Sequence, residues 1–175
     1  NRSVLDLLEK DPPMPLQEQP ATILVVDAEA NILEALQKVL VKEGHEVVTA
    51  SHGRQALEIL RRQPIRVMSS DLQMPGMTGD DLLKAVKTIT PEVEVIVMTA
   101  FGTIENAVEA MKLGAYDFIS KPLKRATIVA AVRKAIDKQA LVAENRQLRA
   151  QLAAVTTRRI IGNIQVMRAT LEMIE

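Results

Sequence analysis

The chain has 175 residues, 47% of them hydrophobic and 25% charged, and its 22 basic side chains balance its 22 acidic ones. That composition suits a water-soluble domain with a real apolar core, and a net charge of zero argues against an electrostatic grip on nucleic acid or on a membrane surface. There are no cysteines, which removes disulfides, thiolate catalysis and cysteine-held metals, and with aromatics at 2% the core must be filled by Val, Ile, Leu and Met.

Residues 1–20 read as an N-terminal extension. Val4, Leu5, Leu7 and Leu8 suit one or two helical turns, and Pro12, Pro13, Pro15 and Pro20 stop anything longer. From residue 21 the texture changes. The run Ile-Leu-Val-Val at 23–26 ends in Asp27 and suits a strand buried on both faces. A helical pattern at Ile32, Leu33, Leu36, Val39 and Leu40 stops at Gly44. Val47 and Val48 form a short strand, and Ala56, Leu57 and Leu60 mark a helix that ends before Pro64. Residues 65–68 lead as a strand into Ser69, Ser70 and Asp71, and a loop rich in Pro and Gly follows at 74–79. Leu82, Leu83 and Val86 form a third helix, and residues 93–98 a fourth strand that ends at Thr99. Ile104, Ala107, Val108 and Met111 form a fourth helix, residues 116–119 a fifth strand, and a last helix begins near Lys124.

Five strand-then-helix repeats imply a five-stranded parallel sheet, doubly wound, with right-handed crossovers. Open sheets of this kind gather their functional groups at the carboxyl ends of the strands. Those ends carry Asp27, Asp71, Thr99 and Lys121. Two carboxylates suit a hard divalent cation such as Mg²⁺. A lysine and a hydroxyl suit phosphoryl oxygens. A carboxylate can also attack a phosphoryl group to form an aspartyl-phosphate. Taken singly, each is as well read as a cap or turn residue. The specificity lies in the four occurring in order, one to a repeat.

The segments Ile-Leu-Val-Val-Asp at 23–27, Asp-Leu-Gln-Met-Pro-Gly-Met-Thr-Gly at 71–79, Val-Met-Thr-Ala at 97–100 and Lys-Pro at 121–122 resemble bacterial two-component receiver domains, which have a flavodoxin-like fold. Residues 102–118 resemble the NtrC-like subgroup that regulates sigma-54-dependent transcription. The resemblance implies a phosphoacceptor at Asp71 and an acidic Mg²⁺ pocket containing Asp27, Asp71 and the backbone carbonyl of Gln73. It implies that Thr99 hydrogen-bonds the phosphoryl group, that Lys121 pairs with it, and that Thr99 and Phe118 occupy the switch positions. It further implies a sensor histidine kinase as phosphoryl donor. His45 and His52 stand at no strand end. The family's second acid after the first strand is here Ala28, which has no donor atom and predicts weakened Mg²⁺ binding. An alternative is therefore an interaction module that is poorly phosphorylated or not phosphorylated at all. Glu29, one residue further on, has two readings, a donor that reaches into the vacant position and, chiefly, a helix start that favours the N-terminal dipole.

The helical pattern from Lys124 runs without Pro or Gly to about Val155. Leu141, Leu148 and Val155 repeat every seven residues, with Asn145 and Leu152 at the alternate seam position, which predicts a dimer helix with one Asn at an a position. The domain reading is receiver at 21–137, coiled-coil linker helix at 138–157, and the opening of an AAA+ ATPase domain at 158–175, on the resemblance of Ile-Ile-Gly-Asn at 160–163. A homodimer through the C-terminal helix, with the receiver as a second contact, is expected. No G-x-x-x-x-G-K-[ST] loop and no helix-turn-helix is found, so neither ATP hydrolysis nor DNA contact is expected of this stretch and it is not read as an enzyme. No signal peptide is seen, the apolar runs are too short to span a bilayer, and a cytoplasmic location is expected.

Overall fold

In a computed structural model of the chain, residues 20–172 are described, with side-chain burial as far as 169. The helical turns predicted around Val4 to Leu8 lie outside the described residues. The elements are β1 (Thr22–Val26), α1 (Ala30–Lys42), β2 (Glu46–Ala50), α2 (Gly53–Arg62), β3 (Val67–Asp71), α3 (Gly79–Ile89), β4 (Glu94–Thr99), α4 (Ile104–Lys112), β5 (Asp117–Ser120) and α5 (Arg125–Glu172). The five strands form one parallel sheet in the order β2-β1-β3-β4-β5. This is the predicted doubly wound architecture.

Strand alternation sorts the core into two layers. Leu24, Val26, Met68, Val95 and Val97 face α2, α3 and α4, where Ala56, Leu60, Leu82, Leu83, Val86 and Ala110 complete the packing. Ile23, Val25, Val67, Ile96 and Met98 face α1 and α5, against Leu36, Leu40, Ile128, Val132 and Ile136. Each fully buried Leu or Ile contributes roughly 1.5–3 kcal/mol of apolar burial. The continuous run at 23–26 is apolar because both of its faces are covered.

The last three strands run later than hydrophobicity predicts. β3 begins at Val67 rather than at Ile65 and carries Ser69, Ser70 and Asp71 within the ladder. β4 and β5 likewise end on Thr99 and Ser120. Backbone pairing decides strand membership, and it persists through polar residues whose side chains find partners. Ser69 Oγ donates to Met98 Sδ at 3.1 Å and Ser70 Oγ to the Asp71 carbonyl at 3.2 Å.

The amino edge of the sheet is closed by a tight polar set. The Arg66 N–H donates to the Thr22 carbonyl at 3.0 Å, and the Arg66 carbonyl accepts from the Glu94 N–H at 3.2 Å. Gln139 accepts from Arg66 Nε at 2.8 Å and donates to the Arg66 and Glu92 carbonyls at 3.2 and 3.0 Å. Beside it, Lys138 pairs with the buried Glu94 at 3.2 Å and lies 5.1 Å from the centre of the Tyr116 ring.

The chain divides into two compact units after Gln139. In the second, α5 continues as helix to Glu172 instead of ending near Val155, so no change of secondary structure marks residue 158. Gly162 is a single helix-weakening residue, costing about 1 kcal/mol, and Ile160, Ile161 and Ile164 around it are all helix-compatible. Leu141, Asn145, Leu148, Leu152 and Val155 are all exposed. No described helix is long and apolar enough to cross a membrane.

Candidate functional site

The strand order makes β1 and β3 neighbours, which sets Asp27, just past β1, beside Asp71, the last residue of β3. Thr99 ends β4, and Lys121 follows β5, its N–H donating to the Thr99 carbonyl at 2.7 Å. All four predicted strand-end residues therefore sit on one edge. Asp27, Asp71 and Thr99 are buried, with 0%, 6% and 1% of their surface exposed, so their polarity must be answered locally.

Lys121 supplies most of that answer. Its ammonium donates to Asp27 Oδ2 at 2.9 Å and to Asp71 Oδ2 at 3.1 Å. The other oxygen of each carboxylate is held by the chain two residues on. Asp27 Oδ1 accepts from the Glu29 N–H at 2.8 Å, and Asp71 Oδ1 from the Gln73 N–H at 3.1 Å. Burial alone would lower the Lys121 pKa, but the hydrogen bonds and charges of Asp27 and Asp71 outweigh it and raise it above the ordinary lysine value.

Local packing fixes these positions. A Cβ on Gly79, at the start of α3, would lie 2.5 Å from the Asp71 carbonyl oxygen and from Leu72 Cα, so only glycine lets that helix approach the end of β3 so closely. Thr99 Oγ1 accepts from the Phe101 N–H at 3.1 Å, which leaves its hydroxyl proton for another acceptor. The Phe101 carbonyl in turn accepts from the Thr103 N–H and from Asn106 Nδ2, both at 3.0 Å. Phe118 is half-buried against the first core layer. A Cβ on Gly102 would lie 3.5 Å from its ring and 3.1 Å from Ser120 Cβ. The loop after β4 thus rests directly on β5.

The donors suit Mg²⁺ in kind, since they are hard oxygens, and one or two carboxylates with water commonly hold that ion. Asp27, Asp71 and the Gln73 carbonyl would hold it, and Ala28 offers only a methyl group. Among the described residues no three His, Cys, Asp or Glu side chains converge as a ready metal site. Any cation entering between Asp27 and Asp71 must also contend with the ammonium already there.

Glu29 directly precedes α1 as its N-cap residue, and its carboxylate also leans to 3.9 Å from Lys121 Nζ. One feature is not legible in the sequence: an apolar face beside Thr99, where Phe101, Ile104, Val108 and Met111 are 64%, 81%, 46% and 49% exposed. The last three show in the sequence only as part of the apolar pattern of a fourth helix.

Residues 23–133 match the response regulator receiver domain. The transcriptional regulatory protein ZraR of Escherichia coli (strain K12) is 38% identical over 134 residues, covering 77% of this chain and 29% of ZraR. The chain spans about 30% of the length of the curated relatives it matches. Among solved structures, a response regulator receiver domain protein from Clostridium thermocellum superposes with a TM-score of 0.67 at 37% identity, covering 70% of this chain and 98% of that one. The beryllofluoride-activated NtrC4 receiver domain dimer superposes with a TM-score of 0.65 at 31% identity, covering 67% and 98%.

Proposed function

The chain belongs to the response regulator receiver family, and on that premise we propose that it accepts a phosphoryl group on Asp71 from the phosphohistidine of a sensor histidine kinase. The observation that carries this reading is the Lys121 ammonium bridging two buried carboxylates at adjacent strand ends. An Asp71 oxygen forms the new bond to phosphorus as the bond from phosphorus to the histidine nitrogen breaks. Lys121 follows the incoming charge onto a phosphoryl oxygen, and the Thr99 hydroxyl donates to another. Asp27, Asp71 and the Gln73 carbonyl hold Mg²⁺, which when bound neutralises charge on the transferring group.

The added charge is read at the neighbouring surface. Thr99 is tied to Phe101, and the loop they share rests on Phe118 and Ser120, so a turn of Thr99 toward the phosphoryl group disturbs the apolar face of Phe101, Ile104, Val108 and Met111. That face gives the receiver a surface for a second copy; the structural neighbour NtrC4 is itself a receiver domain dimer in its beryllofluoride-activated form. Leu141, Asn145, Leu148 and Leu152 form the seam of a parallel dimer helix, and their exposure supports a partner there. In the whole protein this arrangement controls the ATPase domain of a sigma-54-dependent transcription activator, which begins near residue 158, in the cytoplasm.

Acyl-phosphate formation on Asp71, followed by intact-mass spectrometry with a small phosphodonor and Mg²⁺, tests the reading. The signal is expected in the native chain and lost in Asp71→Asn; a signal that survives that change ends the proposal. A second reading is favoured by Ala28, which adds no donor to the cation pocket. On it, the chain works by contacts alone and is phosphorylated slowly. Ala28→Asp is then expected to speed acyl-phosphate formation, and equal rates in the two forms count against it.

A further inference from the structure

Three carboxylates surround one ammonium at this site, and they are not equivalent. Asp27 and Asp71 are buried and hydrogen-bonded to Lys121 Nζ at 2.9 and 3.1 Å. The Glu29 side chain is 67% exposed and stops at 3.9 Å, beyond hydrogen-bond reach. Its backbone is nevertheless fixed, because the Glu29 N–H donates to Asp27 Oδ1 at 2.8 Å. The side chain is thus anchored at its root over the pocket and free at its tip.

We propose that Glu29 is a positioning residue that receives Lys121 when a divalent cation takes its place between Asp27 and Asp71. The inference rests on the cation-assisted reading above. A cation and an ammonium cannot share the same two carboxylate oxygens, so one must leave. With no second carboxylate available to it, the displaced ammonium would be left in water beside a doubly charged ion. Glu29 gives it a direct pair on the solvent side of the pocket, within a short swing of a long side chain. In the resting arrangement Glu29 contributes little, since it does not touch the ammonium. In the exchanged arrangement it makes a hydrogen-bonded pair. Only such a difference between two states shifts the balance between them. Glu29 acts through Lys121 and not as a ligand, which agrees with the lack, among the described residues, of three acidic or histidine side chains placed to hold a metal ion.

A double-mutant cycle on the full 175-residue chain tests this, with Mn²⁺ as the probe and free Mn²⁺ read by electron paramagnetic resonance. Glu29→Gln is expected to weaken Mn²⁺ binding about fivefold, the size of one exposed ion pair. Lys121→Met is expected to bind Mn²⁺ more tightly than the native chain. In that background Glu29→Gln should change affinity by less than about twofold, because no ammonium needs a new partner. Circular dichroism checks the fold of each variant, and Lys121→Gln replaces Lys121→Met if the latter does not fold. An equal loss with and without Lys121 would mean that Glu29 acts on the cation directly, and no loss in the native background would mean that it does not act at all; either overturns the proposal. If Ala28→Asp, which adds a donor outright, also fails to take up Mn²⁺, the cation reading itself falls and this inference falls with it.

Discussion

The two edges of the sheet solve the same problem differently. Both bury charged or strongly polar groups, and both answer them with partners from distant segments. At the amino edge Arg66, Gln139, Lys138 and Glu94 have settled partners. Gln139 satisfies a guanidinium and two carbonyls, and Lys138 answers Glu94. At the carboxyl edge two carboxylates share a single ammonium, with a third carboxylate standing off at 3.9 Å. The first edge is closed and can only be held or broken. The second, on the proposed reading, changes partners without unfolding, the freedom that accepting a phosphoryl group would require.

Removing the ammonium separates the two cases most strongly. Lys121→Met leaves two buried carboxylates facing each other and is expected to cost about 2 kcal/mol in urea unfolding, less than a deeply buried pair because the lysine reaches solvent. Added Mn²⁺ should restore much of that loss by binding the folded state. If the unfolding midpoint does not respond to Mn²⁺, the carboxyl edge is as closed as the other. Gln139→Ala, at the amino edge, is expected to cost about 1.5 kcal/mol through groups left unsatisfied. Here Mn²⁺ should restore nothing, and a cation-dependent recovery would erase the distinction.

Acidity should also divide the edges. Burial is the main cause that holds His45, at the amino edge, below the ordinary histidine value; Glu43 pulls it up, and Arg66 and Arg133 push it down. Its Nδ1 accepts from the Ala21 N–H at 3.4 Å, a role the protonated ring cannot fill. The unfolded chain therefore binds the proton more readily, and stability is lost as pH falls through the histidine range. Lys121 is shifted up, so its contribution is complete below the ordinary lysine value and is lost only as pH rises through the raised one. Urea midpoints across pH should show an acid limb that His45→Gln flattens and an alkaline limb that Lys121→Met flattens. The smallest effect is expected away from both edges. Lys38→Ala removes an exposed pair with Glu34 on α1 and should leave the midpoint unchanged within error.

The carboxyl edge was the more legible of the two in the sequence. Asp27, Asp71, Thr99 and Lys121 each end or follow an apolar run, and the repeat of strand and helix tells where such residues gather. The strand limits were less legible, because Ser69 and Ser70 look like loop residues until their ladder partners are known. The amino edge was not visible at all. Arg66 and Gln139 are 73 residues apart, in segments whose local pattern says only strand and helix. Whether Phe118 would be core or surface was not legible either; it is half-buried against the first core layer, with the Gly102 loop beside its ring. The helix also runs on past Val155, where the heptad pattern stops, and the Thr156 and Thr157 hydroxyls donate to the Leu152 and Ala153 carbonyls within it.

The position of Tyr116 has an optical consequence. It is the only tyrosine, and the chain has no tryptophan. Its ring lies under Lys138 at the amino edge. Ultraviolet emission from the native chain therefore follows the closed edge and is nearly blind to events at Asp71. A fluorescent reporter for the carboxyl edge has to be installed, and Phe101→Trp, exposed and one bond from Thr99 through its N–H, would put the dye where the signal begins.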